Sequence, residues 1–183
     1  MPRPRTLDRE RLLDTAETIV TQTGAVGLTF GSLATAAAVP KASIQSAFGS
    51  REVLMDAMLN RWLMREQARF STELAGRTTE RDRMLAHIRT TANLTREEST
   101  NVAALVVALA SAGQTETSSN RWYHERVGTL EAQGSEARRL RIAFLAAEGA
   151  YYLRNLFGFP MSDELWKDIF EDLSAYAKAD DLP

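Results

Sequence analysis

Residues 9–52 read RERLLDTAETIVTQTGAVGLTFGSLATAAAVPKASIQSAFGSRE, and the punctuation of that stretch decides the fold. Leu12, Leu13, Ala16, Ile19 and Val20 recur at helical spacing, with Asp8 and Glu10 early, where a helix N-terminus favours anions. The pattern predicts a first helix over residues 7–23 that Gly24 ends. Thr29 is suited to cap a second helix running to about Ala38, with Leu33, Ala34 and Ala37 as its buried stripe. Pro40 fits the first turn of a third helix, because its fixed φ is helical and its missing N–H is unsatisfied there anyway. Ile44 and Phe48 are its inward pair, and Gly49 closes it.

Working outward, Ser50 followed by Glu52 reads as the start of a longer fourth helix to about Leu74, with Met55, Met58, Leu59, Trp62 and Leu63 on its apolar side. From Thr78 onward the pattern stays helical. Breaks are expected at Glu97–Thr100, Ala112–Thr117, Gly134 and Gly158–Ser162. That gives five further helices, about nine in all, with no strand-like alternation and no internal repeat. The expected fold class is all-α.

The 183 residues, 44% of them apolar and 25% charged, suffice for a small reader head plus one modest second domain. With no cysteine, disulfides, thiolate nucleophiles and cysteine-held zinc are excluded. No stretch reaches the roughly 18 apolar residues of a membrane span, and the N-terminus lacks a signal-peptide core. A soluble, cytoplasmic protein without membrane partners is the expectation. Net charge is −2, unevenly spread. Residues 1–70 hold nine Lys and Arg against seven Asp and Glu, whereas the remainder holds thirteen against seventeen. The excess of positive charge lies with the short helices, the right side for a nucleic-acid contact.

Three helices in 48 residues, the last two joined by the tight turn Ala38–Pro40, match a helix-turn-helix that lays its third helix in a major groove. Spacing alone fits a plain three-helix core equally well. The residues go further. Arg9–Val20, then Gly24, Gly27 and Thr29, then LATAAAVPKASI (Leu33–Ile44), then Phe48, Ser50, Arg51 and Glu52, resemble in order and spacing the N-terminal signature of the TetR family of bacterial regulators. The resemblance covers about 50 residues. It implies a DNA-binding head over 1–49 and a helical ligand-binding and dimerisation domain over 50–183. It further implies a homodimer on a palindromic operator in double-stranded DNA, most simply a repressor released by a small-molecule effector.

The chain departs from the family pattern on the recognition helix. Where members show tyrosines or histidine this chain has Gln45, Ser46 and Ala47; Gly31 stands where a polar side chain is usual, and Ala38 replaces the turn glycine. Phosphate contacts need donors and base readout needs a few well-placed side chains. Lys41 and Arg51 supply charge, Ser43 and Ser46 supply hydroxyls, and Gln45 is the candidate reader. A glutamine bonded bidentately to adenine is worth about 1–3 kcal/mol of discrimination; the plain alternative is a solvated surface amide. Arg3 and Arg5 precede the first helix, where an arm could enter the minor groove. Thr29 and Ser32 open helix two and either touch the DNA backbone or serve as caps.

In the second half, residues 142–147 and 149–153 are apolar or small on nearly every side, which demands burial all round. Packing one side on the chain's own core and the other on a second copy meets that demand. The expected dimer residues are Ala143, Ala146, Gly149, Ala150 and Leu153, with Trp166, Ile169, Phe170 and Leu173 of the last helix. Candidates for a ligand cavity are Trp62, Met84, His87, Ile88, Leu105, Leu109, Trp122, Tyr123 and Tyr151, although aromatic and Met residues at helical spacing are ordinarily core. This set carries few charges, so the expected effector is apolar or aromatic. No cofactor and no metal are expected. Two histidines and no glycine-rich phosphate loop leave no constellation for catalysis, so an enzyme is disfavoured. The serious alternative is a TetR-like dimer whose reading surface has decayed, leaving a ligand- or protein-binding module.

Overall fold

The computed structural model describes residues 8–112, 118–128 and 130–179. These form nine helices in chain order: α1 Arg9–Gly27, α2 Phe30–Ala37, α3 Lys41–Phe48, α4 Arg51–Leu74, α5 Glu80–Ala92, α6 Arg96–Ser111, α7 Ser118–Val127, α8 Ser135–Asn155 and α9 Asp163–Lys178. The described residues contain no strand, so the all-α class holds. None of these helices is long and apolar enough to cross a membrane.

Local chemistry sets most boundaries. Asp8 accepts from the N–H groups of Glu10 and Arg11 to cap α1, and Ser50 accepts from Val53 to start α4. Thr29 and Ser32 form a reciprocal capping box at α2. Two boundaries differ from expectation. Gly24 (φ 70°, ψ 174°) breaks the helical backbone where an end is expected, but a short further turn to Gly27 extends α1 beyond it. The break expected at Glu97–Thr100 falls earlier, because Thr95 accepts from the Glu98 N–H, so Glu97 and Glu98 occupy the acidic first turn of α6.

Helices α1–α3 share one hydrophobic core with the start of α4. Leu12, Ala16, Val20, Leu33, Ile44 and Phe48 meet Leu54, Met55, Met58 and Leu59 there, and Val102, Leu105 and Leu109 of α6 extend it. Each large side chain so buried contributes about 1.5–3 kcal/mol. A second core joins α5, α8 and α9 through Met84, Ile88, Leu140, Phe144, Trp166 and Phe170. Trp166 Nε1 donates to Ala92 O at 2.9 Å, fixing α9 on the end of α5. Helix α4 spans both parts of the fold: its first turns pack with α1–α3 and its later turns against α5 and α7.

Candidate nucleic-acid interface and ligand cavity

The turn between α2 and α3 is tight because Ala38 adopts the left-handed conformation (φ 53°, ψ 46°). That lets Val39 N–H reach Ala34 O at 3.0 Å. Helix α3 then buries Ile44 and Phe48 while Lys41, Ala42, Gln45 and Ser46 stay exposed and Ser43 half-exposed. Lys41, Ser43, Gln45 and Ser46 are thus brought onto one short helix.

Other expected DNA contacts are more committed. Gln45 Nε2 donates to Gly49 O, so its amide closes its own helix. Thr29 Oγ1 accepts from Ser32 N–H at 3.0 Å, and Ser32 Oγ donates to Gly27 O at 2.8 Å; both hydroxyls hold the α1–α2 junction. Arg51 turns inward, its Nε 2.7 Å from Leu28 O and a terminal nitrogen 2.5 Å from Ala25 O. It donates to carbonyls at the C-terminal end of α1, where the helix ladder stops. Arg9, passed over in the sequence, lies 4.9 Å from the centroid of the Phe48 ring and adds a cation beside α3. Arg3 and Arg5 lie outside the described residues.

The head is tied to α4 and α6 by polar contacts. Arg61 faces Glu10 at 3.7 Å, Asp14 at 2.5 Å and Glu17 at 3.9 Å, with Arg65 3.2 Å from Glu17. Asn101 Nδ2 donates to Thr21 Oγ1 at 2.8 Å.

Between α4, α5, α6, α7 and α8 lies a narrow cavity of about 30 Å³, little more than room for one water molecule. Of the nine expected ligand residues it gathers four: Trp62, Trp122, Tyr123 and Tyr151. His87 stands behind the wall, with Nε2 3.0 Å from Glu148 Oε1. Met84 lines a separate small hollow with Leu130 and Leu140. Leu105 lines a cleft among α1, α4 and α6. Ile88 and Leu109 are plain core.

The walls also carry charged residues, Glu66, Arg126 and Glu148, that the expected set lacks. Glu66 and Arg126 are each 1% exposed. Glu66 is ion-paired at 2.6 Å with Arg69, which continues to Glu98 at 3.0 Å. Burial nevertheless pushes the Glu66 carboxyl above the ordinary carboxylate value, partly offset by Arg69 and Arg126. Glu148 accepts from Tyr123 OH at 2.5 Å as well as from His87. The Arg126 guanidinium lies over Trp122 and Phe70, 4.0 and 4.2 Å from the ring centroids, and donates to Thr90 Oγ1 at 3.2 Å. Burial lowers its pKa to about 10. The Tyr123 and Tyr151 hydroxyls are pushed upward, chiefly by burial, and stay neutral donors; Tyr151 OH bonds Ser99 O at 2.9 Å.

The three charged residues had a signal in the sequence. Glu66 continues the α4 stripe of Leu59, Trp62, Leu63 and Phe70, Glu148 lies between Phe144 and Tyr151, and Arg126 follows Trp122 by four. A charge on an otherwise apolar helix face is the sign of a buried one.

The nine residues expected at a dimer face divide by burial. Ala143, Ala150, Trp166 and Phe170 face the chain's own core and are at most 7% exposed. Ile169 and Leu173 are half-buried, while Ala146, Gly149 and Leu153 are exposed. The outward face of α8 is completed by Ile142 and Leu145, 46% and 56% exposed.

Against known proteins, residues 81–178 match the family model described as tetracyclin repressor-like, C-terminal domain. The chain belongs to the TetR family. No curated protein matches its sequence. Among solved structures it is similar to the multidrug binding protein EbrR complexed with imidazole, at 20% identity and TM-score 0.64, covering 94% of this chain and 96% of that one. A TetR transcriptional regulator from Rhodococcus sp. RHA1 is similar at 16% identity and TM-score 0.56, covering 96% and 98%. So is the superantigen PfiT, at 21% identity and TM-score 0.54, covering 98% and 100%. These likenesses concern the fold. Among the described residues no group of three or more His, Asp or Glu is placed to hold a metal ion.

Proposed function

We propose that this TetR-family protein is a cytoplasmic, homodimeric, ligand-responsive transcriptional regulator, acting as a repressor on a palindromic DNA operator and released by a small aromatic effector. One observation carries the reading: helix α4 carries Trp62 in the cavity wall and Met55 and Met58 in the head's core. A ligand that parts the cavity walls must displace the helix on which the head is mounted. In a dimer this changes the spacing of two α3 helices, and the operator is held only at the matching spacing. The head is 1–49, with Lys41, Ser43, Gln45 and Ser46 as its reading surface and Arg3 and Arg5 as an arm. The dimer face is Ile142, Leu145, Ala146, Gly149 and Leu153 of α8 with the exposed edge of α9. EbrR, which was also solved with ethidium, is a precedent for an aromatic ligand in this fold.

Selection of bound sequences from random DNA, followed by binding over a range of salt, tests the proposal. A palindrome whose half-sites lie one helical turn apart, bound well above the non-specific background, is expected. Lys41→Ala should weaken all sites alike, whereas Gln45→Ala should relax the preference at one base pair per half-site. Failure to select any site at low salt sinks the operator reading.

A second reading has its own support. Gln45 and Arg51 are engaged with backbone carbonyls, and the same fold occurs in a superantigen. A TetR-like dimer that binds a ligand or a protein without reading DNA would fail the selection and still bind its ligand. Turnover abolished by a single carboxylate or histidine substitution would instead favour an enzyme.

A further inference from the structure

We propose a ligand site in the cleft between α1, α4 and α6, distinct from the inner cavity, for a small organic cation: a protonated amine or quaternary ammonium on an apolar body of about two rings. The site stands whether or not the inner cavity takes an effector. Size favours the cleft. It offers about 330 Å³, within the range of small-molecule sites, whereas the inner cavity of about 30 Å³ has room for little more than one water molecule.

The floor of the cleft is apolar. Val20, Met58, Trp62, Val102 and Leu105 line it and are each at most 7% exposed. No hydrogen bond fixes Trp62, whose Nε1 lacks an acceptor among the described residues, so its ring is held by packing alone. The rim is acidic: Glu17 of α1 and Glu97 and Glu98 in the first turn of α6 stand against a single lining cation, Arg65.

Neighbouring arginines do not make up the difference. Arg65 lies 3.2 Å from Glu17. Arg61, 3.9 Å from Glu17, is shared with Glu10 and Asp14, and Arg69, 3.0 Å from Glu98, also serves Glu66 at 2.6 Å. Three guanidinium groups thus answer five carboxylates, and Glu97 is a sixth with no ion-pair partner among the described residues. The α6 N-terminus contributes only about half a positive charge. A cation at the mouth supplies charge the rim lacks and gains a cation–π contact with Trp62, while its apolar body covers the floor. An anion would meet three carboxylates. An occupant here also touches α1 directly, and so bears on the head without passing through the inner cavity.

The test is calorimetry on the purified full chain without DNA, at neutral pH, using 2-(1-naphthyl)ethylammonium, 2-(1-naphthyl)ethanol and 1-naphthaleneacetate. These share one apolar body and differ in charge. The ammonium is expected to bind about fivefold tighter than the alcohol, roughly what a part-exposed ion pair and one cation–π contact supply together, and the acetate weakest of the three. High salt should narrow the gap. Glu97→Gln, at an exposed position, should lower ammonium affinity about threefold and leave alcohol affinity and stability unchanged. Glu164→Gln, an equally exposed acid on α9, should leave all three affinities unchanged. The proposal is overturned if the alcohol binds as well as the ammonium, if the acetate binds tightest, or if no probe binds. It also falls if Glu97→Gln keeps wild-type affinity, if Glu164→Gln costs as much, or if Glu148→Gln in the inner cavity costs more.

Discussion

Ala38→Gly should stabilise this protein, and the amount follows from the turn it occupies. Ala38 holds φ 53° and ψ 46° at the α2–α3 turn, a conformation that costs an L-residue about 1–2 kcal/mol through the clash of Cβ with the following carbonyl. Its methyl group is exposed, so removing it forfeits no burial. Glycine gives back about 0.4–1 kcal/mol through the greater freedom of the unfolded chain. The net gain is about 0.5–1 kcal/mol, which for a chain of this length raises Tm by about 1–4 °C. Urea unfolding at fixed protein concentration should show a higher midpoint with unchanged slope. Ala75 has φ 50° and is exposed, so Ala75→Gly should show a similar gain far from α3 and serves as the control. Ala38→Val, with a branched Cβ in the same conformation, should lose at least 1 kcal/mol. A midpoint for Ala38→Gly at or below wild type, with Ala75→Gly raised, would refute the assignment of strain to this turn.

Leu145→Glu places a charge on the outward face of α8, where the wild-type side chain is 56% exposed; sedimentation should show a folded monomer, and an unchanged dimer would locate the interface elsewhere. Arg61→Met removes the cation shared by Glu10, Asp14 and Glu17 and should cost about 0.5–1 kcal/mol at low salt, less at high salt; a loss independent of salt would mean the stem matters and not the charge. Burial raises the Glu66 carboxyl above its ordinary 4.5, so the folded protein holds that proton to higher pH than the unfolded chain does. The resulting stabilisation is fully present below 4.5 and is lost as pH rises through the folded value. Subtracting the Glu66→Gln stability profile from wild type should therefore leave a curve that falls with rising pH above 4.5, and a flat or rising difference would be inconsistent with a buried carboxyl.

The head was legible because its signals are local and redundant. Thr29, Pro40, Gly49 and Ser50 each mark a helix end by their own backbone or side-chain chemistry, and Ile44 and Phe48 leave α3 one way to face. Helix α8 is the opposite case. With Ala143, Ala146, Ala147, Gly149 and Ala150 interleaved with Ile142, Leu145 and Leu153, both faces are apolar, and periodicity cannot say which side meets the chain's own core. Tertiary packing chose Ala143, Ala147 and Ala150 for the inside because α5 and α9 approach there. The cavity was half legible. Its aromatic walls follow from helical spacing, but Glu66, Arg126 and Glu148 look like ordinary solvated charges until set against the apolar residues three and four positions away.

That buried charge narrows how ligand and head can communicate. Trp62 separates the cavity from the cleft among α1, α4 and α6, and it lines both. Val102 of α6 is likewise shared, and one residue earlier Asn101 reaches Thr21 on α1. Arg61 and Arg65, on the turns of α4 around Trp62, grip the acidic face of α1. A ligand that moves Trp62 therefore acts on two helices that both hold α1, and α1 carries the core against which α3 is packed. Close-packed interiors do not stretch; they shift between discrete arrangements. The head must then follow α4 and α6 as a body, and the coupling is bounded by the difference in ligand affinity between the two arrangements. Weakening the Arg61 grip should loosen that transmission before it unfolds the head, so Arg61→Met should reduce the ligand's effect on operator affinity more than it reduces operator affinity itself.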